Sequence, residues 1–211
     1  MSEHNTLTAQ ETADGWSLLF DGETTDGWRG YRKDHVPSEW TVRDGELMLT
    51  RKGGGDIITH GTYGDFELSI EYKISEGGNS GIFYRGTEDE DTIWRTAFEV
   101  QVLDDERHPD AKNGDDRKAG ALYALYPPRV PAKPALEWNH VRVIARGTQI
   151  EHHLNGELAV SFDTASDEYK RRVAASKFVE FPKFGTFAEG HLGLQDHGDV
   201  VWYRNIKVRG L

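Results

Sequence analysis

A chain of 211 residues is long enough to bury a substantial core without covalent staples, and the absence of cysteine excludes disulfides and thiolate chemistry. Its 25 basic against 36 acidic side chains leave a formal net charge of −11, which argues against nucleic acid or a membrane surface as partner, since both need a basic face. The opening MSEHNTLTAQETADGW has no basic n-region and no apolar run, so the sequence as it stands points to the cytoplasm, or to the periplasm or exterior if a signal peptide has been removed.

Residues 1–14 read as a polar segment, loose at its extreme end, ahead of a single domain over 15–211. Residues 16–20 form a first short strand, followed by the turn-rich DGETTDGW. Across residues 40–50, Asp44-Gly45 sits between alternating apolar positions and predicts a hairpin. Gly53-Gly54-Gly55 is followed by neither a helix nor a Lys-Ser/Thr pair, so it is not a phosphate loop. Residues 65–74 give the cleanest period of two, with Phe66, Leu68, Ile70, Tyr72 and Ile74 on one face and Glu67, Ser69, Glu71 and Lys73 on a wet one. A solvated charged loop over 104–118 follows the central stretch discussed below, then a strand over 120–126 and a proline-marked connection.

A second hairpin turns at Gly147, and Asn155-Gly156 makes a type I′ turn into residues 157–162. The sequence offers one helix, over 166–177, capped by Ser166 with Tyr169, Val173 and Phe178 inward. His152 and His153 alternate faces on a hairpin strand and read as surface residues. Strands over 191–195 and 200–208 close the chain, the latter alternating through Val200, Trp202, Arg204, Ile206 and Val208. Many short strands with turns about every 8–12 residues indicate an all-β sandwich or jelly roll with at most one short helix.

The chemistry gathers between Gly77 and Gln101. Alternation along an extended strand points Glu99 and Gln101 to one side and Phe98, Val100 and Val102 to the other. A Glu and a Gln on one face, with Asn79 and Arg85 on the neighbouring strand, suit a floor that grips hydroxyl-rich molecules. A Glu99–Arg85 cross-strand ion pair is the structural alternative. Asp104, Asp105, His108 and Asp110 match no strict metal-ligand spacing.

Gly78-Asn79-Ser80-Gly81-Ile82, Arg85, Glu99-Val100-Gln101, Gly120-Ala121-Leu122-Tyr123, Trp138-Asn139, Asn155-Gly156, the closing Gly193-Leu194-Gln195-Asp196-His197-Gly198 and Arg204-Asn205-Ile206 are jointly distinctive. As an ordered set they resemble the 3-keto-disaccharide hydrolase family, over nearly the whole chain. The resemblance implies a concanavalin-A-like jelly roll of two antiparallel sheets, a substrate held on the concave one, and cleavage of sugars oxidised at C3. The strand Glu99-Val100-Gln101-Val102-Leu103-Asp104 is also similar to the Glu-x-Asp-x-x-Glu strand of retaining glucanases, but Gln101 replaces the middle acid and Asp104 the last. That departure disfavours ordinary displacement, which needs two carboxyls about 5–5.5 Å apart.

A 3-keto sugar needs one general base, a stabiliser for the enolate and a proton donor. Glu99 is the expected base, Arg85 the charge stabiliser and His197 an acid or base near neutral pH. Asn79, Gln101, Tyr123, Gln195 and Asp56 are the expected contacts to a small carbohydrate. The sequence fixes no cofactor and leaves a metal requirement open: a divalent cation held by Asp56, Glu99 and His197 would help polarise the ketone. The rival reading is a non-catalytic carbohydrate-binding module on the same sandwich, which would not need a Glu, an Arg and a His together. The sequence sets no oligomeric state.

Overall fold

Turn chemistry decides where this chain doubles back. Asp44 and Gly45 adopt φ of 54° and 77°, and Asn155 and Gly156 adopt 53° and 90°, the pattern that joins antiparallel strands with native twist. The computed structural model describes residues 4–211, in strands β1 (Ser17–Leu18), β2 (Trp28–Gly30), β3 (Trp40–Arg43), β4 (Glu46–Leu49), β5 (Ile57–Thr59), β6 (Phe66–Ile74) and β7 (Asn79–Gly86). After these come β8 (Phe98–Leu103), β9 (Asn139–Arg146), β10 (Gln149–Leu154), β11 (Glu157–Asp163), β12 (His191–Leu194) and β13 (Val201–Gly210). Helix α1 (Ala9–Ala13) precedes β1, and helix α2 (Asp167–Ala174) lies between β11 and β12. Among the described residues no helix is long and apolar enough to cross a membrane.

The strands make a concanavalin-A-like jelly-roll sandwich of two antiparallel sheets. One runs β11-β10-β9-β6-β13-β4-β3, with β1 also paired to β13, and the other runs β2-β5-β12-β7-β8. Between them lies the core, which takes Phe66, Leu68, Ile70 and Tyr72 from the large sheet and Ile82, Tyr84, Phe98, Val100 and Leu194 from the small one. Burial of these faces supplies the main stabilisation. Ser166 caps α2 by accepting from the Tyr169 amide, and Tyr169 and Phe178 are buried, as the sequence pattern requires.

Several expectations need correction. The segment expected to be loose begins with residues 1–3, which lie outside the described residues. Beyond them, Asn5 is buried and exchanges two hydrogen bonds with Asn205, its amide donating to Oδ1 and its own Oδ1 accepting from the Asn205 amide. A capping box between Thr8 and Glu11 then starts α1, adding a second, very short helix. Residues 120–126 form turns rather than a strand, tied to β8 by Gln101 and Glu99 backbone bonds and a bridge from Leu122 to Val100.

In β13 the buried set is Val201, Tyr203, Ile206 and Val208. A bulge between Arg204 and Lys207, with Asn205 at φ 51°, inserts one residue and reverses the phase of the strand. Period-two counting continued straight through it. His152 is buried as well, with Nε2 accepting from the Tyr84 hydroxyl (2.7 Å) and Nδ1 facing the Gly120 carbonyl (3.4 Å). The wet face of β6 is instead a network: Arg142 and Arg209 clamp Glu67, and Arg204 pairs with Glu71.

Candidate functional site

The outer face of the small sheet is half apolar and half polar. At one end Ile58, Phe83, Ile93 and Ala97 form a small cluster covered in part by Tyr31 and Trp94. At the other end a cavity of about 160 Å³ opens, floored by Asn79 from β7 and by Glu99 and Gln101 from β8. Gln195 and His197, from the loop after β12, form one wall. Tyr123 and Trp94, with Lys177 and Phe178 from the 3-10 turn Lys177–Glu180, form the other.

Register explains the floor. Glu99 stands opposite Phe83 and Gln101 opposite Gly81, so both carboxyl and amide rise on the side away from the core. Glycine is required at 81, because a Cβ there would collide with the Glu99 carboxyl. Glu99 therefore lies across β7 in space that any other residue would fill. Burial pushes its pKa well above the ordinary carboxylate range, the Asp56 and Asp110 charges add to the rise, and Lys177 and Arg117 oppose it. No protein hydrogen bond to the Glu99 carboxyl is present among the described residues.

The amides around it are unsatisfied. Both polar atoms of Gln101, Oδ1 of Asn79 and Oε1 of Gln195 are buried without a hydrogen-bond partner. Each orphan of this kind costs about 1–3 kcal/mol, so a cavity walled by them is built for a polar occupant. Lys177 holds its ammonium 4.5 Å from the Tyr123 ring centroid and 5.1 Å from that of Trp94, in an aromatic cradle. Burial lowers its pKa, and the Glu99 carboxyl pulls the other way.

The residues singled out in the sequence fare differently. Asn79, Glu99, Gln101, Tyr123, Gln195 and His197 converge on the cavity. The Tyr123 hydroxyl is already committed, accepting from Arg117 (2.9 Å) and donating to Asp110 (3.1 Å), so its ring, not its hydroxyl, serves the site.

Arg85 does not join them. Its guanidinium is buried and donates to the Gly64 and Gly147 carbonyls, at 2.9 Å and 2.8 Å, because φ of 53° at the end of β7 turns it off the sheet. It pairs with Asp65 rather than Glu99, which removes the expected cross-strand pair and the expected enolate stabiliser.

Asp56 stands behind the cavity, accepting from the Asp196 amide (2.8 Å), and burial pushes its pKa up to about 6. Asp196 in turn accepts from the Gly53 and Gly55 amides, which gives the triple glycine its role as a collar for the β12 loop. Asp104 is buried outside the cavity, accepting from the Gly77 and Glu106 amides, and among the described residues no second carboxyl lines the cavity with Glu99. Among the described residues the cation set expected from Asp56, Glu99 and His197 is not brought together; His197 groups with His108 and Asp199 instead. Lys177 and Trp94 went unread, since one follows a surface helix and the other sits in a short 3-10 turn with no periodic signal.

The fold has close counterparts. Residues 15–209 match the family described as 3-keto-alpha-glucoside-1,2-lyase-like domain. A curated 3-keto-disaccharide hydrolase from Bacteroides thetaiotaomicron is 39% identical over 100% of this chain and 83% of its own length. A crystal structure described as a candidate glycosyl hydrolase from Parabacteroides distasonis superposes with a TM-score of 0.92 at 34% identity, covering 99% of this chain and 100% of that one. A second candidate glycosyl hydrolase from the same organism gives 0.72 at 28% identity, over 93% and 99% of the two chains. The resemblance read from the motifs is thereby borne out: the chain is an enzyme belonging to the 3-keto-alpha-glucoside-1,2-lyase-like domain family.

Proposed function

We propose that this enzyme cleaves 3-keto-glycosides by removing the C2 proton and eliminating the C1 substituent, with net hydrolysis once water adds back. The observation that carries this reading is the carboxyl of the cavity: among the described residues Glu99 is the only acidic one lining a cavity otherwise walled by unpaired amides, aromatics, Lys177 and His197. Displacement at C1 uses two carboxyls, whereas a ketone at C3 acidifies the C2 proton enough for one base to suffice.

Glu99 takes the C2 proton, and the electron pair passes through C2–C3 to the C3 oxygen. The unpaired Gln101 amide offers that oxygen an N–H donor in a water-poor site. As the enolate collapses, the C1–O bond breaks and the leaving oxygen takes a proton from the Lys177 ammonium, whose lowered pKa makes it a willing donor. The sugar is then a 2-hydroxy enone. Water adds to C1, giving a proton to the Lys177 amine, and Glu99, its acid proton exchanged with solvent in the meantime, protonates C2. Asn79 and Gln195 hold hydroxyls, and Lys177 takes the cationic part that the sequence had given to Arg85.

Paired glucosides with and without the 3-keto group, carrying the same aryl leaving group, test the proposal. Only the oxidised one should release its aglycone, and product formed in heavy water should carry deuterium at C2 beyond the spontaneous exchange of 3-keto-glucose. Turnover of the unoxidised glucoside with its C2 hydrogen retained would return the enzyme to direct displacement.

A further inference from the structure

Beside the cavity, and sharing His197 with it, lies a second constellation. His108, His197 and Asp199 each offer one ligand atom, and these atoms lie within 4.8 Å of one another. His108 comes from the loop after β8, the other two from the loop before β13, so the fold brings two distant segments together there. Asp199 is fixed by the Asn79 amide, which donates to its Oδ2 at 3.0 Å and leaves the other carboxylate oxygen available. Asn79 is itself 4% exposed, and its Oδ1 is buried in the cavity wall without a partner.

Resting on the 3-keto-glycoside reading, we infer that His108, His197 and Asp199 bind one divalent transition-metal cation at the edge of the Glu99 cavity, with open positions for two oxygens of the sugar. Two imidazoles and a carboxylate suit manganese, cobalt or zinc at about 2.0–2.2 Å and leave room for exchangeable oxygen ligands. Such bond lengths place neighbouring ligand atoms about 3–3.5 Å apart, so the set must contract slightly. His197, an exposed residue on a loop, is the ligand free to move inward. His108 must also change: its Nδ1 now accepts from the Asp110 amide at 3.1 Å, and a metallated imidazole either gives up that bond or turns its ring. A cation at this edge polarises the ketone and balances the charge that forms on its oxygen.

The test uses the whole protein, stripped with chelator and titrated with cobalt(II), read by calorimetry and by the visible absorption of the bound ion. One equivalent should bind, and His197→Ala, His108→Gln and Asp199→Asn should each weaken it about tenfold or more, while His35→Ala does not. The Asp110 amide resonance should move on loading, and a 3-keto-glucoside should change the cobalt spectrum. No binding at millimolar cobalt, or binding indifferent to all three substitutions in folded protein, overturns the site. Binding that follows the substitutions, together with a spectrum and a turnover both blind to the 3-keto group, leaves the metal site standing and overturns the substrate reading.

Discussion

Glu99 illustrates how a catalytic group is kept at the expense of the fold. Its raised pKa means that the folded state prefers the protonated acid. Its contribution is therefore most favourable below the ordinary carboxylate range and is lost as the pH rises through the raised value. Glu99→Gln should lower turnover by about 10²–10⁴-fold while raising the melting temperature, most at pH 8 and not at all near pH 4. The shift amounts to about 2–4 °C for each kcal/mol recovered in a chain of this size. Equal melting temperatures at every pH, with activity intact, would make Glu99 an ordinary strand residue. Both Glu99 and Gln101 were legible beforehand, because alternation alone separates them from Phe98 and Val100. Lys177 was not, since nothing in SKFVEF tells where a tertiary contact will place an ammonium.

At the level of the element, β7 shows two glycine-dependent and φ-dependent choices working in opposite directions. Gly81 lets a partner strand's side chain cross over it, and Arg85 leaves the sheet to bind the loops at 64–65 and 147. Arg85→Met should cost about 1–3 kcal/mol through the orphaned carbonyls and leave kcat unchanged, which thermal unfolding and steady-state kinetics would read together. A folded, stable variant with kcat reduced a hundredfold would restore Arg85 to the reaction. Arg85 misled the sequence reading because strand parity puts 79, 81, 83 and 85 on one face only while the backbone stays extended. The left-handed φ at 85 ends that rule one residue early. The bulge at Asn205 defeated the same rule in β13, where an unannounced extra residue moved Trp202 and Arg204 outward.

Across the whole molecule, acid resistance turns on a buried imidazole. His152 bridges the two sheets through Tyr84, and burial holds its pKa down to about 4. Its stabilising contribution is complete above the unfolded value near 6.5 and is lost as the pH falls toward 4, for about 3 kcal/mol in all. His152→Gln, which can keep both hydrogen bonds without titrating, should flatten the fall in melting temperature between pH 7 and pH 4.5. An identical slope in the variant would assign that loss to carboxylates elsewhere. The sandwich, its hairpins and the helix cap were legible because turn residues and period-two runs are local signals. The pairing of β13 between β6 and β4 was not, since it joins segments that share no local signal.

That pairing governs how the protein can be made. Strand β13, the most C-terminal of those described, occupies the middle of the larger sheet, hydrogen-bonded to β6 on one side and to β4 and β1 on the other. Until residues 201–210 emerge, β6 and β4 each present an open edge to the cytosol of whatever cell translates them, the situation in which nascent β-proteins stick to one another. Closure of the sheet thus waits on its most distant segments, a topology that folds slowly. A premature stop between β11 and Val201 would leave not a shorter enzyme but two half-sheets in search of a partner.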